Sequence, residues 1–406
     1  MTSSVPAAAS TRNTSLDVLR GIAILMVLVC HGAILSPPTW DAILWRPCWS
    51  GVDLFFVISG FLISGLLFAE FKRSGKIRFR RFAIRRALKI YPAFYVLVLI
   101  TVAVRLAQHR YGVLPLALHD LFFIQSYAPG TWGHFWSLSV EEHFYILLPI
   151  LMFLLIRRSK DNRTNPFTAI PKLFLVIGPL VLIARLLTAK LIPYSLETHN
   201  FPTHLRLDSL FFGVVISYFY QFHEGKFTKF TSRWRYFILG AAAGFLAPIF
   251  VIGQYQPWMY TYGFSCIYVG YGLLLIGLLQ VPIQALPRSA LLVLKVLANI
   301  GTFSYSIYLW HGLCSGMVSA WLPARFSLAR LIIFYPASLL VGIVCAKIIE
   351  FPVLRVRDRL FPSKDSPVES STALPVRTSE EGTSDVVSDA GASHTECSPN
   401  VSEASA

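Results

Sequence analysis

Arg20 and His31 stand eleven residues apart in the run LDVLRGIAILMVLVCH, residues 16–31, with only glycine and apolar side chains between them. On an α-helix that spacing puts both on one face, about 16 Å apart along the axis. A histidine inside an apolar run is costly unless it serves a purpose, and its ordinary pKa suits it to take up a proton near neutral pH. The chemistry this suggests is general-base catalysis at His31, with Arg20 holding an anionic group some way off.

Other ionisable groups interrupt apolar runs. Asp53 lies near the start of GVDLFFVISGFLI, Glu141, Glu142 and His143 sit in FWSLSVEEHFYILLP, Arg206 and Asp208 in LRLDSLFFG, and His311 ends SYSIYLWH. Each has a structural reading beside the functional one. Asp53 and Ser137 are N-cap candidates. Ser139 and Glu142 have the spacing of a capping box, which discounts Glu142 as catalytic. Arg206 and Asp208 are placed to pair with each other or with Glu141, and for His311 a hydrogen-bonded packing role is favoured over catalysis.

Several chemistries are set aside. There is no Gly-x-Ser-x-Gly elbow, Walker or dinucleotide glycine pattern, His-Glu-x-x-His, or His-x-x-x-x-Asp. The six cysteines are scattered singly, without metal-ligand spacing, so no metal site is expected. Nothing calls for nucleic acid.

The elements that must position these residues are membrane spans. The chain has 406 residues, 55% of them hydrophobic and 14% charged, with a mean hydropathy of +0.58. Its apolar residues come in runs of about 20, the length of a bilayer-crossing helix. The expected fold is an all-α polytopic membrane protein with ten spans, near 17–35, 51–70, 88–107, 137–156, 171–190, 205–222, 234–253, 260–281, 303–321 and 328–349. Residues 113–127 are too short for a span and read as an interfacial or re-entrant piece.

The segment FKRSGKIRFRRFAIRRALK, residues 71–89, carries nine Lys or Arg and no acid, which assigns it to the cytoplasm. Counting spans from there puts the basic stretches RRSKDNR, KFTKFTSRWR and RVRDR on the same side, and both termini with them. Residues 1–15 are a polar N-terminal segment, residues 16–356 the membrane domain, and residues 363–406 a cytoplasmic tail. The tail has eight acids and two bases, and its composition cannot bury a core, so disorder is expected there. Nine bases in one short segment suit a phosphate-bearing ligand or anionic membrane lipids.

Taken together, these five motifs and a sixth, FAIRRALKIYP before the third span, resemble the acyltransferase 3 family of membrane proteins. The likeness spans residues 16 to about 352, with the motifs in the family's order. It implies an integral membrane enzyme, in the bacterial cytoplasmic membrane, that takes an acyl group, commonly acetyl, from acyl-coenzyme A. The acyl group goes to a hydroxyl of a carbohydrate or glycoconjugate acceptor; no bound cofactor is implied. By similarity Arg20 and His31 are the signature pair, Glu141 is the motif acid, and Arg85 or Arg86 represents the basic motif.

The expected mechanism has His31 as base, with Glu141 orienting its ring. Arg20 binds a phosphate or the thioester end of the donor, or polarises the oxyanion if the helix is broken at Gly21. Arg80, Arg81, Arg85 and Arg86 hold the remaining phosphates, while Asp53, Arg206 and Asp208 are candidate contacts to the acceptor. A transient acyl-His31 is a second route. The rival function is a transporter or flippase of a lipid-linked sugar.

Overall fold

A computed structural model describes residues 14–32, 46–159, 164–279, 281 and 286–362. The expected tail, 363–406, and residues 1–13 of the N-terminal segment lie outside them. The fold is all helical: α1 Thr14–Gly32, α2 Gly51–Ser74, α3 Phe79–Ala107, α4 Val113–Leu121, α5 Trp136–Arg158, α6 Ile170–Leu191, α7 Leu196–His199 and α8 Leu207–Phe222. There follow α9 Glu224–Leu246, α10 Pro248–Val251, α11 Phe264–Leu278, α12 Arg288–Thr302, α13 Ser304–Trp321, α14 Ser327–Cys345 and α15 Phe351–Leu360.

Among the described residues, eight helices are long and apolar enough to cross a bilayer; α12 and α13, bent by 72° at their junction, reach that length and hydropathy only as a pair, as a broken span or a re-entrant loop does. The sixth expected span is a helix, α8, but at 16 residues it falls short of that length. The chain is thus a polytopic membrane protein. Two expectations need correction. Residues 288–302 fall between two expected spans, 260–281 and 303–321, and form α12, whose Arg288 and Lys295 dilute its apolar signal. Asp53 is not an N-cap: α2 begins at Gly51, after a 3₁₀ turn at Arg46–Ser50, so Asp53 lies within its first turn. Residues 113–121 form the short helix α4, in keeping with a piece that does not span.

Burial separates a central layer from a lipid-facing one. In α2 67% of the apolar window is buried, against 17% in α6 and α9. Leu175, Leu180 and Leu187 of α6 and Phe237 of α9 are exposed, as lipid-facing side chains would be. Helix α1 belongs to both hydrophobic cores. Its Ile24, Val27 and Leu28 pack into the one around Phe94, Phe135 and Leu210. Its Leu16, Leu19 and Ala23 pack into the one around Leu54, Phe264 and Ile267.

Two reciprocal glycine contacts let the central helices approach closely. A Cβ on Gly60 of α2 would lie 1.8 Å from Leu210 O of α8, and one on Gly213 of α8 would lie 2.2 Å from Val57 O of α2. The same occurs between α1 and α12, where Gly21 meets Leu297 O at 2.1 Å and Gly301 meets Asp17 O at 1.9 Å. In lipid, such backbone contact replaces the hydrophobic drive that water would supply. Gly21 therefore serves packing. It does not break α1, which runs unbroken from Thr14 to Gly32.

Candidate active site

Four buried charges cross-tie the ends of α2, α6 and α8. Arg206 Nη2 lies 2.5 Å from Asp53 Oδ1, and Arg185 Nη2 donates to both oxygens of Asp208 at 2.5 and 2.6 Å. Arg185 Nε also donates to Leu205 O at 2.9 Å. The Arg206 guanidinium rests 3.8 Å from the centre of the Phe264 ring, while its Nε and Nη1 have no partner among the described residues. The pairing expected between Arg206 and Asp208, or with Glu141, is replaced by Arg206–Asp53 and Arg185–Asp208. Sequence reading missed Arg185, although a lone Arg in the apolar run LVLIARLLTA was a signal. At the other end of α2, Lys72 Nζ donates to Gln221 O at 2.7 Å, so α2 and α8 run side by side in one direction.

His31, near the end of α1, is half-buried. Its Nδ1 lies 2.9 Å from Val27 O. A carbonyl only accepts, so Nδ1 carries the hydrogen and Nε2 keeps its lone pair. Two more imidazoles join it. The ring of His311, on α13, is 4.7 Å from that of His31. His134 precedes α5, 4.5 Å from His311 and 6.3 Å from His31. His311 Nδ1–H donates to Tyr308 O at 2.5 Å and His134 Nε2–H to Leu309 O at 3.3 Å. Tyr308 ties α13 to the turn before α5 by donating to His134 O at 2.6 Å. Sequence reading placed His311 in a packing role and did not single out His134. Among the described residues no three His, Cys, Asp or Glu side chains are arranged to hold a metal ion.

The carboxylates lie elsewhere than expected. Glu141 accepts from Ser59 Oγ at 2.7 Å and from Tyr145 OH at 2.8 Å, and Arg86 Nη2 is 3.9 Å away. Arg86 also sits 4.0 Å over the Tyr145 ring. These partners do not include His31, whose Nδ1–H is held by Val27 O instead. The capping box is absent too. A 3₁₀ turn at Gly133–Phe135 leads straight into α5, so Ser139 is already inside the helix, where it donates to Phe123 O and Ser126 Oγ. Glu142 is buried, accepts from Tyr91 OH at 3.2 Å, and leaves Oε1 without a partner. The ground for discounting it falls.

The basic cluster divides. Arg80 is exposed. Arg81 donates to Pro362 O and Arg85 to Phe361 O, and Arg85 pairs with Asp358 at 3.1 Å. Of these four arginines it is Arg86 that meets Glu141 inside the bundle. Arg20 lies 3.8 Å from Asp17. With α1 unbroken it stays about 16 Å from His31, which removes the oxyanion role. A further buried carboxylate went unnoticed in the sequence: Glu350, in a π-helical turn after α14, accepts from Ser306 Oγ at 2.7 Å.

The profile of a family described as an acyltransferase domain matches residues 13–347. The chain belongs to that family. It is 26% identical over 322 residues to the peptidoglycan O-acetyltransferase OatA of Listeria monocytogenes, covering 73% of this chain and 48% of that one. It is 27% identical over 315 residues to the O-acetyltransferase OatA of Staphylococcus aureus, covering 73% and 49%. The chain thus spans about half the length of these relatives. No solved structure matches it. The matched region contains His31, His134, Glu141, Arg206 and His311; Glu350 lies just beyond it.

Proposed function

We propose that the chain transfers an acetyl group from acyl-coenzyme A to a hydroxyl of a cell-wall carbohydrate, from within the bacterial cytoplasmic membrane. The observation that carries this reading is His31: family membership supplies the reaction class, and Val27 O holds this imidazole in the tautomer that leaves Nε2 free to accept a proton. The acceptor class is taken from the Listeria relative, a peptidoglycan O-acetyltransferase. The orientation follows from the basic segments, which put Arg20 and the 71–89 cluster at the cytoplasmic face and His31 in the outer half.

In the transfer, the acceptor oxygen attacks the thioester carbonyl while its proton passes to His31 Nε2. The new O–C bond forms, the C–S bond breaks, and the leaving thiolate recovers the proton from His31. A positioned base of this kind contributes roughly 10²–10⁴ in rate. Arg80, Arg81, Arg85 and Arg86 attract the donor's phosphates, with Arg20 at the inner mouth. Asp53 and Asp208 are paired with arginines, whereas Arg206 has two nitrogens, Nε and Nη1, with no hydrogen-bond partner among the described residues, and so keeps donors for an acceptor.

Purified full-length chain in nanodiscs, given acetyl-coenzyme A and soluble peptidoglycan fragments, should release coenzyme A and form O-acetyl ester. Movement of a lipid-linked sugar without thioester consumption would replace this reading with the transporter.

A further inference from the structure

His311 carries an unspent polar atom that the reaction as written does not use. The residue is fully buried at 0% exposure, and its Nε2 has no hydrogen-bond partner among the described residues. Because Nδ1–H is committed to Tyr308 O, Nε2 is a lone-pair nitrogen. A buried acceptor left unpaired is costly and calls for an explanation. The ring beside it, 4.7 Å away, is His31. That ring likewise has its one N–H committed, to Val27 O. Two neutral imidazoles thus lie together with two lone pairs and no N–H to share, an arrangement that favours the arrival of a positive charge.

We infer that His311 stabilises the imidazolium that forms on His31 during transfer, acting as a positioning residue through its buried lone pair. The inference rests on the reading of His31 as general base. It fills the role first expected of Glu141, whose oxygens are taken by Ser59 and Tyr145, with Arg86 beside them. His134 backs His311 from the other side, 4.5 Å away, and its own N–H is held by Leu309 O. The dipole of His311 is therefore fixed before the reaction begins, and away from water such a fixed dipole acts strongly on a nearby charge. The proton balance is unchanged: His31 takes the acceptor's proton and returns it to the thiolate, while His311 neither gains nor loses one.

The test uses full-length chain in nanodiscs with acetyl-coenzyme A and soluble peptidoglycan fragments. His311→Leu should lower kcat about 10- to 100-fold with KM for acetyl-coenzyme A unchanged. His311→Gln, whose amide oxygen still accepts, should keep more of the rate. Added imidazole should partly rescue His311→Ala, whereas thiophene, which fills similar space without a basic nitrogen, should not. A His311→Leu variant within twofold of wild-type kcat, or equal rescue by thiophene, overturns the inference. A His31→Ala variant that turns over normally overturns instead the reading beneath it.

Discussion

Two of the polar groups inside this bundle are built on opposite terms. In the Asp53–Arg206 and Arg185–Asp208 group, opposite charges meet at 2.5 Å and every carboxylate has its guanidinium. In the His31–His134–His311 group the rings are neighbours, but each spends its one hydrogen on a backbone carbonyl rather than on another ring. The first arrangement cross-ties helices. The second fixes ring orientation while leaving lone pairs unspent. Paired charges hold a fold together; unspent nitrogen in a fixed position is what proton transfer needs.

The sharpest break between the two should come from His31→Ala. Loss of the base should cut turnover by about 10²–10⁴, while the protein still inserts and gives a wild-type melting curve. Comparable turnover in that variant would make the imidazole group a packing device after all.

Asp208→Asn should do the reverse. It leaves Arg185 buried at 1% exposure without its counter-charge. Breaking a buried pair in this way costs about 3–5 kcal/mol, whereas replacing both partners with apolar residues is often close to neutral. A lower melting temperature for Asp208→Asn, mostly restored in Arg185→Leu with Asp208→Leu, would mark the group as structural. If the restored double variant melts normally but no longer turns over, the charged group belongs to the chemistry.

How much of this was legible in the sequence depends on the range of the contact. Helices came through because a run such as LDVLRGIAILMVLVCH announces a span by itself, and all ten expected positions hold helices. His31 stood out because one ionisable group interrupts an apolar run. What failed were contacts between distant segments. His31, His134 and His311 come from three parts of the chain, and no local pattern ties them. Arg185 and Asp208 are 23 residues apart on different helices. The capping box failed for a local reason: Ser139 and Glu142 have the right spacing, but the 3₁₀ turn at Gly133–Phe135 starts the helical run before Ser139. The reciprocal contacts of Gly60 with Gly213 and of Gly21 with Gly301 were invisible because glycine spacing alone does not name a partner helix.

Glu141 belongs to neither group. Glu141→Gln removes the charge beside Arg86 and weakens the acceptor seen by Ser59 and Tyr145. With no contact to His31, it should act through Arg86. Turnover should fall about tenfold, roughly 1.4 kcal/mol, and Arg86→Gln should fall with it rather than adding to it. Full additivity in the double variant would separate the two residues. Glu142→Gln, which alters one tyrosine hydrogen bond at 3.2 Å, should have a smaller effect.

The smallest effect belongs to Arg85, and it bears on how the basic segment meets its donor. If Arg80, Arg81, Arg85 and Arg86 formed one phosphate cradle, neutralising any of them would weaken the donor similarly. They face different partners instead: Arg85 meets Asp358 and Phe361 O, while Arg86 meets Glu141 inside the bundle. The Arg85–Asp358 pair is partly exposed, with side-chain exposures of 24% and 48%, and such pairs contribute about 0–1 kcal/mol. Arg85→Gln should therefore leave the melting temperature nearly unchanged and raise KM for acetyl-coenzyme A only about two- to threefold, by loss of long-range attraction that added salt would also screen. The expected ranking of KM at low salt is Arg86→Gln above Arg85→Gln, with the Arg85 effect vanishing at high salt. An Arg85→Gln effect as large as that of Arg86→Gln, and resistant to salt, would mean that Arg85 leaves Asp358 to bind phosphate directly, and that the basic segment acts as one site.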